Sequence, residues 1–210
     1  YKELHGVDLK PLEEIVITAS GVQALNVSIR CAVDPGDEAI ILTPNWPNAT
    51  AIISMFGGIP KEIPLASQGE RYTVDFDALA AALSSKTRLV VCTSPSNPLG
   101  WVATVNEQQA LLDFCRHHKL WLLTDEVYER IYYSDQVAPS ILRLCHRDDA
   151  VIVVQSFSKT YCMTGWRLGW LVSRTDLTAK AAQLNEFIVS HAPAMVQRAG
   201  ELALENGEAE

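Results

Sequence analysis

No basic run occurs anywhere in this chain, and acidic residues outnumber basic ones, 25 to 17, for a formal charge of −8. A surface that holds DNA or RNA needs clustered Lys and Arg, so this charge pattern disfavours nucleic acid as a partner. Also missing are an apolar run of membrane-spanning length and the charged, apolar and small-residue pattern of a secretory leader. Cysteine is sparse and odd in number. Cys31, Cys92, Cys115, Cys145 and Cys162 lie mostly within apolar segments, which predicts free thiols in a reduced, soluble, cytoplasmic protein. There is no internal repeat, no low-complexity tract, and no Pro/Gly/Ser linker long enough to divide the chain. The 210 residues are therefore read as one domain, and a hydrophobic content of 48% is enough for a large core.

What is present is an alternation. Short, nearly continuous apolar runs occur at 14–19 (EIVITA), 38–42 (EAIIL), 88–94 (RLVVCTS), 120–125 (LWLLTD), 150–156 (AVIVVQS) and 168–173 (LGWLVS). Such runs suit strands buried on both faces. Between them lie helical patterns. GVQALNVSIRCAV ends at DPGDE, DFDALAAALSS has an acidic first turn, and TVNEQQALLDFCRHH pairs Thr104 with Glu107 as a capping box. An amphipathic helix, VQRAGELALENGEAE, ends in a charged tail. The expectation is an α/β fold: three layers, α/β/α, around a mostly parallel sheet. Because the chain opens at Tyr1 in YKELHGVDL, it is also expected to be a piece of something longer.

In an open parallel sheet, ligands gather outside the carboxyl ends of the strands, so the loops there are where chemistry is sought. After the first strand, SGVQAL offers helix-start amides at Ser20, Gly21 and Val22 that suit a phosphate; an ordinary Ser cap looks the same. After the second, Trp46 sits between Pro44 and Pro47, either as a stacking face for a planar ligand or as a loop anchor. In PSNPLG, Asn97 lies between two prolines that stiffen the turn aiming its amide; an unliganded Asn turn is the alternative. Asp125 closes the fourth strand in DEVYERIYY, with Tyr128 on the same face if the chain turns helical, whereas a helix N-cap is the plain reading of that acid. The fifth loop, SFSKTYCMTGWRLGW, holds the phosphate donors Ser156, Ser158 and Arg167 around Lys159. A lysine that is partly desolvated beside Arg167 should have a lowered pKa and act as an amine nucleophile; a surface lysine is the alternative. Cys115, His117 and His118 are close in sequence but fall at a helix end without a second ligand pair, so no metal site is expected.

Five loops thus offer a phosphate cradle, a stacking face, an amide, a carboxylate with a phenol, and an amine. Pyridoxal 5'-phosphate asks for all five. At this point the sequence resembles the class I/II aminotransferases, fold type I pyridoxal-phosphate enzymes. SFSKTYCMTGWRLGW is similar to that family's cofactor-lysine block, and TASGVQAL, DPGDEAIIL, PSNPLG and TDEVYERIYY resemble its other blocks in the family's order. The likeness runs from about residue 12 to 207.

The resemblance implies a PLP-dependent transferase-like large domain over 1–210, without the family's N-terminal segment and C-terminal small domain. It implies a Schiff base on Lys159, which then moves the α-proton as acid and base. Asp125 would pair with the ring nitrogen, Asn97 and Tyr128 with the phenolic oxygen, and Trp46 with the ring. The phosphate would fall to Ser20, Gly21, Val22, Ser156, Ser158 and Arg167. It further implies amino-group exchange between an α-amino acid and a 2-oxo acid, in a homodimer. Leu99 departs from the family's commoner threonine, and the arginine that holds the substrate's carboxylate in the small domain has no counterpart in the 210 residues. Two other readings share the scaffold: a carbon–sulfur lyase or another fold type I enzyme, and the ligand-sensing domain of a transcription regulator.

Overall fold

The structure, a computed structural model, describes residues 1–69, 71–134 and 137–207. Among these, the strands are β1 (Ile15–Thr18), β2 (Glu38–Thr43), β3 (Ile59–Pro64), β4 (Ala66–Gln68), β5 (Arg71–Thr73), β6 (Thr87–Thr93), β7 (Trp121–Asp125), β8 (Val151–Ser156) and β9 (Gly169–Ser173). The helices are α1 (Lys2–His5), α2 (Pro11–Glu14), α3 (Gly21–Ala32), α4 (Asn48–Met55), α5 (Phe76–Ala82), α6 (Val105–His118), α7 (Phe157–Thr160), α8 (Thr175–Val189) and α9 (Ala194–Asn206).

Seven strands form one sheet in the order β1-β9-β8-β7-β6-β2-β3, and β4 with β5 make a separate hairpin. Neighbours from β8 through β3 are parallel, while β9 runs antiparallel to both β8 and β1. This is the expected α/β sheet with helices on both faces. All six residues of β8 are buried, as an apolar run in the middle of such a sheet should be. On one face Leu25, Val27 and Ile29 of α3 pack on Ile41, Leu123 and Ile152, with Leu177 and Ala181 of α8 beside them. On the other, Leu111 and Leu112 of α6 and Ile141 cover Val90, Leu122 and Val153. Each fully buried Leu or Ile contributes about 1.5–3 kcal/mol, so the two layers supply most of the stability.

Local chemistry sets the helix starts. Thr104 and Glu107 form the reciprocal capping box of α6, and Asp75 caps α5 by accepting from the Ala78 amide. Several elements escape the sequence reading. β3 carries two prolines and lies at the sheet edge, where missing N–H donors are tolerated. α4 and α8 have Pro47 and Arg174 as N-cap residues, neither of which makes a side-chain cap, so no capping residue announces them. After Asp125 the chain does not turn helical: residues 127–130 form a turn.

Gly169 marks the tightest point. It pairs with Thr18 on one side and Ser156 on the other, and an added Cβ would lie 2.4 Å from the Gly21 nitrogen and 2.7 Å from the Gln155 carbonyl oxygen. Those neighbours are backbone and cannot rotate away. Gly169→Ala is therefore expected to cost about 3 kcal/mol or more, at the upper end of overpacking, and to lower Tm by several degrees in thermal unfolding. An unchanged Tm would contradict the close approach.

Candidate active site

The direction of the strands decides where the site is. β1, β2, β6, β7 and β8 all run the same way, so the loops that follow them emerge at one edge. β9 runs the other way, so it begins at that edge and brings the residues just before it, including Arg167, to the same place. A cavity of about 340 Å³ opens there, within the range of small-molecule sites.

Ten of the expected residues line it: Gly21, Val22, Trp46, Asn97, Asp125, Tyr128, Ser156, Ser158, Lys159 and Arg167. Ser20 does not. Its hydroxyl accepts the Gln23 amide at 3.1 Å as the N-cap of α3, and its carbonyl accepts from the Thr18 hydroxyl at 2.8 Å. That cap leaves the first-turn amides of Gly21 and Val22 at the cavity wall, where a helix start presents positive partial charge.

Asp125 is the last residue of β7 and sits beside Thr93 of β6 in register. Burial pushes its carboxyl up to about 6, partly offset by the Val127 amide, which lies 3.3 Å from Oδ1. Among the described residues no ion pair reaches Asp125. A desolvated carboxyl of this kind is a receptor for a cation supplied from outside.

The Asn97 amide nitrogen lies 3.2 Å from the Tyr128 hydroxyl, so the two polar groups converge from different loops. Lys159 is exposed rather than partly desolvated, and Nζ stands 5.4 Å from the centre of the Tyr128 ring. The reason is its position in α7, a single turn that begins past the buried end of β8 and carries the side chain out into the open cavity. Ser156, by contrast, is buried. Its hydroxyl caps α7 by accepting from the Ser158 amide at 3.1 Å and donates to the Leu168 carbonyl at 3.3 Å. The Arg167 guanidinium reaches the Ser158 hydroxyl at 3.4 Å and the Thr164 carbonyl at 2.6 Å. Arg167 has a left-handed backbone, φ 57°, which folds the loop back over Ser158. Trp46 is 57% exposed, so one flat face is available for a ligand.

Thr93, Val127 and Thr164 also line the cavity and were not singled out in the sequence. Thr93 could have been found from strand periodicity, since it closes β6 as Asp125 closes β7. Cys115, His117 and His118 fall in the last turns of α6.

Residues 1–210, the whole chain, match the family model for aminotransferase class I and II. The chain belongs to the class I and II aminotransferases. It is 35% identical over 199 residues to the putative aminotransferase YugH of Bacillus subtilis, covering 94% of this chain and 50% of that protein. To an aspartate aminotransferase of Streptomyces avermitilis it is 34% identical, covering 85% of this chain and 44% of the relative. The N-succinyldiaminopimelate aminotransferase of Mycobacterium tuberculosis superposes with a TM-score of 0.91 at 27% identity, over 99% of this chain and 54% of that one. This chain thus spans about half the length of the class I and II aminotransferases it matches.

Proposed function

We propose that the full-length protein is a pyridoxal-phosphate-dependent aminotransferase that moves an amino group between an α-amino acid and a 2-oxo acid, and that residues 1–210 are its cofactor-binding large domain. The observation that carries this reading is that Lys159, Asp125, Asn97 and Tyr128 meet the Ser158–Arg167 pair in one cavity. The donor set fits the cofactor. Asp125, pushed up by burial and without a cation among the described residues, matches a protonated ring nitrogen, and the guanidinium, the serine hydroxyl and two first-turn amides match a phosphate. Pyridoxal phosphate, when bound, supplies an aldehyde that condenses with amines and a ring that withdraws electrons from the adjoining carbon.

The chain's own groups divide the remaining work. With the group bound, Asp125 would hold the proton on the ring nitrogen. Asn97 and Tyr128 would hold the phenolic oxygen, and Trp46 would cover the ring. Arg167, Ser158 and the Gly21 and Val22 amides would anchor the phosphate, with Ser156 capping the turn that carries Ser158, and that anchor would set where the reactive carbon meets Lys159. Lys159 Nζ is the base that takes the proton from the α-carbon of the donor amino acid and, in the second half of the exchange, gives a proton to the α-carbon of the amino acid formed. All five cysteines are free, which fits a reducing cytoplasm, and a homodimer is assigned by likeness to the family. No helix among the described residues is long and apolar enough to cross a membrane.

The test is a screen of amino-group exchange on the full-length protein with a panel of amino acids and 2-oxo acids. Transfer to at least one 2-oxo acid is expected. Release of ammonia and pyruvate without transfer would replace this reading with a lyase.

A further inference from the structure

Glu126 follows Asp125 directly, and successive residues of an extended chain point to opposite faces. Asp125 lines the cavity; Glu126 turns the other way, toward the layer that contains Ile141, and is only 1% exposed. Its Oε1 accepts from the Ile141 amide at 3.0 Å and from the Thr124 hydroxyl at 3.2 Å, while Oε2 is buried without a hydrogen-bond partner. The main chain of Glu126 is equally engaged. Its amide donates to the Val154 carbonyl of β8 at 3.0 Å, and its carbonyl accepts from the Glu129 amide at 2.9 Å, closing the turn that carries Tyr128.

Segment 138–141 is a fixed point to pull against. Ala138 donates to the Glu129 carbonyl at 2.8 Å, and Gln108 of α6 donates to the Pro139 carbonyl at 2.8 Å. One residue therefore joins β8, the 126–129 turn and a strap already tied to α6.

We propose that Glu126 is a positioning residue: by gripping the Ile141 amide it fixes the turn that presents Asp125 and Tyr128 to the cavity. This rests on the reading of that cavity as the cofactor site. The gripping group is the uncharged acid. Burial pushes the carboxyl up to about 8 with the charge of Glu129 adding to the rise, against the nearby Ser140 hydroxyl and the hydrogen bonds from Ile141 and Thr124. Cys92 on β6 and Cys145 beyond Ile141 are pushed up to about 12, the Tyr1 hydroxyl is raised by burial, Asp125 is itself an acid held up by burial, and His5 hydrogen-bonds to Glu129. A bare buried oxygen is tolerable on a neutral acid and far costlier on a carboxylate.

The test is hydrogen exchange at the Ile141 and Glu129 amides of the full-length protein, with pyridoxal phosphate affinity measured in parallel. Glu126→Leu, which removes the acceptor, is expected to speed exchange at both amides about tenfold, the factor worth one net hydrogen bond, and to weaken cofactor binding. Glu126→Gln keeps a neutral acceptor and should stay close to the parent protein. Above pH 8 the parent should lose protection at both amides relative to Glu126→Gln, because only the parent gains a buried charge. Exchange in Glu126→Leu that matches the parent would overturn the proposal, as would damage in Glu126→Gln equal to that in Glu126→Leu. If the leucine variant does not fold, parallel profiles of parent and Glu126→Gln from pH 7 to 9 overturn it. A parent that shows the exchange pattern but binds no cofactor refutes the cofactor reading and leaves the grip standing. Cofactor binding without the exchange pattern refutes the grip alone.

Discussion

Lys159→Ala in the full-length protein is expected to lower amino-group transfer by about 10⁴-fold, the upper range for losing a positioned acid–base group. Structure should be nearly unaffected, because Lys159 is exposed at the cavity and its side chain is no part of the core. The variant should therefore unfold at the parent's temperature. It should also lose the covalent label that borohydride leaves when pyridoxal phosphate is present, since Lys159 is the amine in the cavity. Peptide mapping checks this directly. A label of parent stoichiometry on another residue of the variant would transfer the role away from Lys159. Lys159→Arg is expected to behave like the alanine variant, because a guanidinium stays protonated and cannot take up a proton.

The second large effect is expected at Asp125. Asp125→Asn keeps the volume and removes the charge that would meet the ring nitrogen. Breaking a buried pair of this kind costs about 3–5 kcal/mol, roughly 10²- to 10⁴-fold in turnover if the loss falls on proton removal. The pH dependence follows from the same carboxyl. Burial holds it at about 6, so in the cofactor-free protein it becomes neutral as pH falls through 6, and the ratio of parent to Asp125→Asn cofactor affinity should shrink toward one between pH 7.5 and pH 5. A constant ratio across that interval would sink the assignment. There is a stability counterpart. The folded protein holds this proton above pH 3.8, where the unfolded chain releases it, so the group costs stability as pH rises from 3.8 toward 6. Without cofactor, Asp125→Asn is expected to melt at a higher temperature than the parent at pH 7. With saturating cofactor the order should reverse, because ligand binding stabilises the parent more.

These two effects pull in opposite directions, and that explains why a sequence can flag such a residue. An acid at the end of a strand as apolar as WLLT is a local inconsistency that the fold alone gives no reason to keep. Lys159 is a weaker local signal, since its exposure is ordinary for lysine, and only the surrounding Ser and Arg donors set it apart. Glu126 gave no signal at all. Between Asp125 and Tyr128 it reads as another polar loop residue, and its burial depends on a strap that starts twelve residues further along the chain.

Much was legible from the chain alone. Continuous apolar runs separated by capped helices dictate strands buried on both faces, because only covered strands can afford to be apolar throughout. The strand-end loops then follow from where each run stops, and with them the residues that line the cavity. What the chain alone could not decide was direction and order. The placement of β9 antiparallel between β1 and β8 depends on pairing between strands far apart in sequence, and it is this reversal that brings Arg167 to the edge where Lys159 emerges. The edge strand β3 and the uncapped helices α4 and α8 were likewise settled by tertiary packing, since their local sequence carries neither the periodicity nor the caps that announce the others. Residue chemistry is local and can be read in order. The meeting of side chains is a property of the folded backbone, set by which strands share hydrogen bonds.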